Sequence, residues 1–261
     1  MISFGGLLFY GALIAFANVI GGLLLARPRT NLRDAHFLRY LIALGAGFML
    51  AAIFIEILPE VVRLWTAGQE DVSDAVLGAM TLLLTGYLLI HLFEHTIAPH
   101  FHFGEETHTE AMLQPKAAYT AIAGLSIHTF FDGVSVAAAF LVNFKAGLLV
   151  FVAVLLHKVP EGFTAASIML ASGRSPRRAL MATLIIGTAT LGGVLCVAIL
   201  QARMSAAVAY ALPFSAGVTL YVAASDLIPE VNHMERKNPL VSIVVFAGVA
   251  LFYLLHKLIE G

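Results

Sequence analysis

Charge is what this sequence has least of. Asp, Glu, Lys and Arg make up 12% of the 261 residues, and hydrophobic residues make up 60%. An ordinary soluble domain carries roughly 25% charged residues. A surface this poor in charge cannot face water over most of its area, so most of it must face lipid. Neither sign is in excess, with a formal net charge of −1, which removes the electrostatic basis for nucleic-acid binding. Cysteine occurs once, as Cys196 within an apolar stretch, so the sequence offers neither an internal disulfide nor a thiolate metal site. The first apolar run, Phe4 to Leu25, has no basic stretch ahead of it and no small-residue cleavage site. At about 22 residues it suits a spanning helix rather than a signal peptide.

What the chain has in abundance is long apolar runs. Eight windows, at about 4–25, 38–58, 75–94, 117–141, 147–171, 179–200, 207–228 and 240–257, reach the roughly 20 residues needed to cross a bilayer core; they are called segments 1 to 8 here. Backbone polar groups in lipid must be satisfied within the segment, so each is predicted to be a helix. The expected fold is all-α: one polytopic transmembrane domain over residues 1–261, with a His-containing loop at 95–116. Frequent Gly and Ala within the segments suit close helix packing. Lys and Arg set the orientation. Arg27, Arg29, Arg33, Arg39, Lys116, Arg174, Arg177, Arg178, Arg236 and Lys237 fall in loops on one side; Arg63, Lys145, Arg203 and Lys257 fall on the other. Ten against four puts both termini outside the cytoplasm.

Two internal matches stand out. Residues 45–60 read GAGFMLAAIFIEILPE and residues 215–230 read SAGVTLYVAASDLIPE. Glu56 matches Asp226 in charge, and Pro59-Glu60 matches Pro229-Glu230. Segments 2 and 7 run in opposite directions, so the match predicts an inverted repeat, a device that lets two related halves exchange conformations around a central site. Segments 4 and 5, again antiparallel, carry His128-Thr-Phe-Phe-Asp132-Gly133 and His157-Lys-Val-Pro-Glu161-Gly162, both of the form His-x-x-x-acid-Gly.

Residues four apart on a helix share a face, about one turn apart. His128 with Asp132, and His157 with Glu161, therefore form two matched pairs at mid-segment and at one depth. Two imidazoles and two carboxylates give an N2O2 donor set suited to zinc and other first-row divalent ions. An ionisable side chain at the bilayer centre costs about 2.5–3.5 kcal/mol on insertion scales, and a bound dication would offset several at once. The structural alternative is a His–carboxylate network that only ties two helices together. Pro160 removes a hydrogen bond to the carbonyl of Leu156 and kinks the helix beside the second pair. Gly133 and Gly162 are expected to let neighbouring helices approach closely.

These motifs, with the segment 2 ending Glu56-Ile-Leu-Pro-Glu60, resemble those of the ZIP (Zrt/Irt-like) family of metal transporters, and the resemblance covers essentially the whole chain. It implies movement of a divalent metal ion toward the cytoplasm, zinc first, then iron, manganese or cadmium. The metal is then substrate, with no organic cofactor and no enzymatic activity. It also implies a homodimer in the bilayer, in which segments 1, 4, 5 and 6 move as a block against segments 2, 3, 7 and 8. The inner (plasma) membrane of a bacterium is the expected location. Three departures from the common family pattern point the same way. Thr129 replaces a frequent Asn, Lys158 replaces a frequent carboxylate, and the stretch Gly187 to Gly192 lacks a Glu seen in many members. Together they imply one central metal rather than two. A branch of the family with His-Lys-x-Pro in segment 5 shares them.

Lys158 lies three residues before Glu161 and, by the symmetry of the two pairs, near Asp132. Its ammonium is expected to occupy the place of a second metal, tuning the site with Thr129 and Pro160; the alternative is that it reaches to water. Glu56 and Glu60, with Asp226 and Glu230, are candidates for the two mouths of the ion path. His95, His100, His102 and His108 are candidates for loose metal collection in the loop. His91-Leu-Phe-Glu94-His95 matches a metalloprotease pattern, so an intramembrane zinc hydrolase is one competing reading. A non-transporting metal sensor is another.

Overall fold

A computed structural model of the chain describes residues 2–26, 32–96, 115–203, 206–229 and 239–260. Within them the chain is almost entirely helical. The elements are α1 (Phe4–Ala26), α2 (Leu32–Ala51), the π-helical stretch π1 (Ala52–Ile57), α3 (Leu58–Thr66), α4 (Val72–Thr96), α5 (Pro115–Val142), α6 (Phe144–Ala171), α7 (Pro176–Arg203), α8 (Ala207–Tyr221), the π-helical stretch π2 (Val222–Leu227) and α9 (Pro239–Glu260). Eight spans among the described residues are long and apolar enough to cross a membrane. They coincide with the eight segments, α2–π1–α3 forming the second and α8–π2 the seventh.

The second span continues to Thr66, past the end predicted near 58. Pro59 does not stop it, because π1 precedes it and the proline falls in the first turn of α3, where a missing N–H costs least. The two π-helical stretches were not predicted. They lie 170 positions apart (222 − 52), the same offset that aligns the repeated sequences (215 − 45). Each carries the acid of its copy, Glu56 in π1 and Asp226 in π2. Single π turns inside α-helices recur at functional sites.

Large side chains such as Phe246, Leu258, Leu77 and Phe16 cover the outside, as expected for surface in contact with acyl chains. The largest apolar cluster is continuous, with residues from α1, π1, α3, α4, α5, α6, α7 and α8. The most extensive helix pairings are α1 with α6 and α7, α5 with α7, α2 with α9, and α4 with α8. The closest backbone approaches fall between the same pairs. A Cβ at Gly162 of α6 would collide with the carbonyl of Asn18 in α1, and one at Gly133 of α5 with the carbonyl of Thr190 in α7. A Cβ at Gly47 of α2 would meet the carbonyl of Val245 in α9, and one at Gly217 of α8 that of Leu83 in α4. Where α2 faces α6 the fit is looser: a Cβ at Gly45 would lie 3.6 Å from His157 Cβ, an ordinary contact. Gly162→Ala is therefore expected to force α1 off α6 and to destabilise the fold by about 1–3 kcal/mol, the usual range for an overpacked core. Gly45→Ala should cost much less. Thermal unfolding of both variants in detergent checks the contrast.

Candidate metal centre

Helices α5 and α6 are each 28 residues long. His128 is the fourteenth residue of one (128 − 115 + 1) and His157 the fourteenth of the other (157 − 144 + 1), so both imidazoles sit at mid-helix. The carboxylates follow one turn later. His128, Asp132, His157 and Glu161 are all buried, and one ligand atom from each lies within 4.8 Å of the others. It is the single such group of three or more among the described residues.

The polar atoms converge on two oxygens. His128 Nε2 lies 3.1 Å from Asp132 Oδ2 and 3.6 Å from Glu161 Oε2. His157 Nε2 lies 3.3 Å and 3.8 Å from the same two oxygens. On the far side of the His157 ring, Nδ1 lies 3.2 Å from the carbonyl of Ala153, one turn back on α6. A carbonyl only accepts, so Nδ1 donates there and Nε2 is the nitrogen turned into the cluster. Nε2 faces Asp132 Oδ2 at 3.3 Å, and that oxygen also accepts from Lys158 Nζ. The ring nitrogen bonded to backbone and the opposite nitrogen aimed at the site is also how ligating histidines are held. Asp132 Oδ1, Glu161 Oε1 and His128 Nδ1 are buried without a protein hydrogen-bond partner. Buried polar atoms rarely stay unsatisfied, and the two oxygens add acceptor capacity at the centre.

Lys158 is fully buried, at 0% exposure, and does not reach water. Its Nζ donates to Asp132 Oδ2 and to Glu161 Oε2, each at 2.5 Å. The ammonium thus spans the two carboxylates. Thr129 is buried too, but its hydroxyl donates to the carbonyl of Ser126 in its own helix, 3.1 Å away. Pro160 lies inside α6, which runs on unbroken to Ala171.

The other expected residues lie apart from this cluster. Glu56 in π1 meets His256 of α9, Oε2 to Nδ1, at 2.9 Å. Glu60 accepts from Arg63 Nε at 2.7 Å and also contacts its terminal nitrogen, an ion pair within the end of the second span. Asp226 lies in π2. Glu230, His100, His102 and His108 lie outside the described residues. His91 and His95 fall on the last turns of α4 and contribute nothing to the midplane group.

Two polar residues near the site escaped the sequence reading. Asn18 of α1 is fully buried, and neither side-chain amide atom has a protein partner; its backbone is the surface against which Gly162, next to Glu161, packs. The signal was a lone Asn in an apolar run. Ser135, one turn beyond Asp132, is buried 3.3 Å from Thr219 of α8, hydroxyl to hydroxyl.

The family model described as ZIP Zinc transporter matches residues 100–256, which include all four cluster residues. A zinc transporter ZIP13 homolog of Drosophila melanogaster is 34% identical over 164 residues, 60% of this chain and 46% of that protein. Zinc transporter SLC39A7 of Mus musculus is 29% identical over 153 residues, 54% of this chain and 32% of that protein. Zinc transporter ZIP4 of Mus musculus is 23% identical over 286 residues, 87% of this chain and 43% of that protein. The chain thus spans less than half the length of these relatives. With more than half of its residues matched by the family model, including both His-x-x-x-acid-Gly motifs, the chain belongs to the ZIP zinc transporter family.

Proposed function

We propose that the chain transports divalent first-row metal ions, zinc foremost, across the membrane toward the cytoplasm, and that the ion passes through the quartet His128, Asp132, His157 and Glu161. The observation that carries this reading is the convergence of two imidazoles and two carboxylates, all buried and within 4.8 Å of one another, at the middle of two helices. A set of two nitrogens and two carboxylates suits a tetrahedral zinc ion, and ionisable groups at such depth are functional by default.

Lys158 takes the position of a second metal in this reading. With neutral imidazoles, Asp132 and Glu161 bring −2, and protonated Lys158 brings the centre to −1. One dication takes it to +1; two would take it to +3, which a desolvated site rejects. The site is therefore mononuclear, as expected for the His-Lys-x-Pro branch.

Alternating exposure of the site follows the family resemblance, with α1, α5, α6 and α7 moving as a block. The quartet rides wholly on α5 and α6, which make their closest backbone approaches to α1 and α7, and these four helices move against the others. The matching sequences and π-helical stretches of the second and seventh spans are read as an inverted repeat framing the motion. Both termini lie outside the cytoplasm of the plasma membrane, from the Lys and Arg balance, and the homodimer follows the family resemblance. Glu56 and Asp226 mark opposite mouths of the path.

Purified protein in liposomes loaded with a zinc-sensitive dye distinguishes the readings. A transporter fills the vesicles with zinc and cleaves nothing; a hydrolase cleaves without flux; a sensor does neither. Competition by iron, manganese and cadmium in the same vesicles orders the substrates. Replacing His95, His100, His102 and His108 together with Ser should leave the maximal rate near normal, because these residues collect ions and do not conduct them. Complete loss of flux in that variant would place the loop in the path.

A further inference from the structure

Ser135 extends the stripe of metal-site residues on α5. His128, Asp132 and Ser135 follow one another at spacings of four and three, which keeps them on one face of the helix. Ser135 is one turn beyond Asp132, toward the end of α5 assigned to the outside. Its hydroxyl lies 3.3 Å from that of Thr219 in α8. Thr219 Oγ1 already donates to the carbonyl of Ser215, one turn back and 3.0 Å away. A hydroxyl has one proton, so Ser135 donates to Thr219 and Thr219 accepts. Both side chains are buried. Around them the packing is closed. Every residue of α5 from Asp132 to Phe140 is buried, and so is every residue of α8 from Ser215 to Thr219. Ile53 and Ile57 of π1, Val134 and Ala139 of α5, and Leu212 and Ala216 of α8 share one apolar cluster there. On the opposite side of the quartet α5 is looser, with Gly124 to Ile127 half-buried. The Glu56–His256 and Tyr87–Ser225 contacts each join spans that lie outside the metal-bearing block. Ser135–Thr219 instead joins that block to α8 of the other group.

We propose that Ser135 and Thr219 form a latch on the outer side of the metal site, a hydrogen bond that ties α5 to α8 while the quartet is shut off from the outside and parts each time the quartet opens there. This rests on the transport reading above. A neutral hydroxyl pair suits the task. Its net strength is modest, so it can break in every cycle, yet a buried hydroxyl left without a partner is costly. The bond therefore holds the closed packing in one register, which apolar contact between α5 and α8 does not fix by itself. When the helices separate, water entering from the outside replaces the lost partner.

The test uses the full chain carrying Cys196→Ser, Ser135→Cys and Thr219→Cys, in liposomes loaded with a zinc-sensitive dye. Sulfurs in place of the two hydroxyl oxygens can bridge after a small shift. Oxidation with diamide should join them within one chain, stop zinc flux, and be reversed by reduction. Zinc binding that depends on His157 should persist in the bridged protein, because the quartet is untouched. Ser135→Cys or Thr219→Cys alone, oxidised in the same way, should go on conducting. A second measurement does not need the bridge. In intact cells, Ser135→Cys in the Cys196→Ser background should react with a membrane-impermeant maleimide added outside, because the latch opens there. Bridged protein that conducts at the reduced rate overturns the proposal, and so does a Ser135→Cys that never reacts from outside. Wild-type protein that carries no zinc, while Ser135→Cys still reacts from outside, overturns the transport reading and leaves the opening contact standing.

Discussion

Alanine at His157 or at Glu161 is expected to abolish zinc flux while leaving folded protein in the membrane, and alanine at His128 or Asp132 to do the same. The four side chains sit at mid-helix with one ligand atom from each within 4.8 Å of the others, so losing any one breaks the N2O2 set. The fold should survive because the helices are held elsewhere, by α1 and α7 against the backbone of α6 and α5. The variants differ in what they leave behind. Removing Asp132 or Glu161 leaves Lys158 with one carboxylate instead of two, whereas removing an imidazole leaves the ion triad intact. His128→Ala and His157→Ala should therefore be the more stable pair. Flux in liposomes, matched for folded protein by size-exclusion profile, is the readout. Wild-type rates from His157→Ala and Glu161→Ala would sink the assignment.

Lys158 should have the second largest effect, on stability as well as on stoichiometry. It is buried and bridges two buried carboxylates. Breaking a buried ion pair by removing one partner costs about 3–5 kcal/mol, because the remaining charge is left uncompensated. Lys158→Met should lower the thermal stability of metal-free protein by that order. Zinc should then restore much of it, about 2.7 kcal/mol at a hundred times the dissociation constant, and by more than it adds to wild type. Lys158→Asp goes further. Three carboxylates carry −3 and two dications bring the centre to +1, the same value that one dication gives with Lys158 present. Metal stoichiometry should rise from one central ion to two, the second weaker. Two central ions in the wild type would contradict the idea that the ammonium fills the second position.

The legible part of this molecule was the part written in spacing. Eight apolar runs separated by basic loops become eight spans because lipid admits only one way to satisfy the backbone. Four-residue spacing put His128 above Asp132 and His157 above Glu161, and the helices deliver both pairs to mid-depth. What spacing does not encode is relative rotation and tilt between helices. The place of Lys158 between the two carboxylates was expected from the symmetry of the two motifs, but the pairing of Glu56 with His256 joins residues 200 positions apart (256 − 56). The π-helical stretches were hidden for a different reason. Inserting one residue into a helical turn leaves no compositional mark, and only the matched register of the two copies hints at it. Asn18 was visible as a letter, but its place against Gly162 depends on how α1 meets α6.

The central claim is that a single divalent ion sits among His128, Asp132, His157 and Glu161 on its way across the membrane. Anomalous scattering at the zinc edge, from crystals of the protein grown with zinc, locates it directly. The account predicts one midplane peak, within about 2.0–2.2 Å of imidazole nitrogens and carboxylate oxygens from these four residues, with Lys158 beside it and no second metal there. Zinc-loaded crystals with no peak at the quartet, or with two metals in it, would contradict the account.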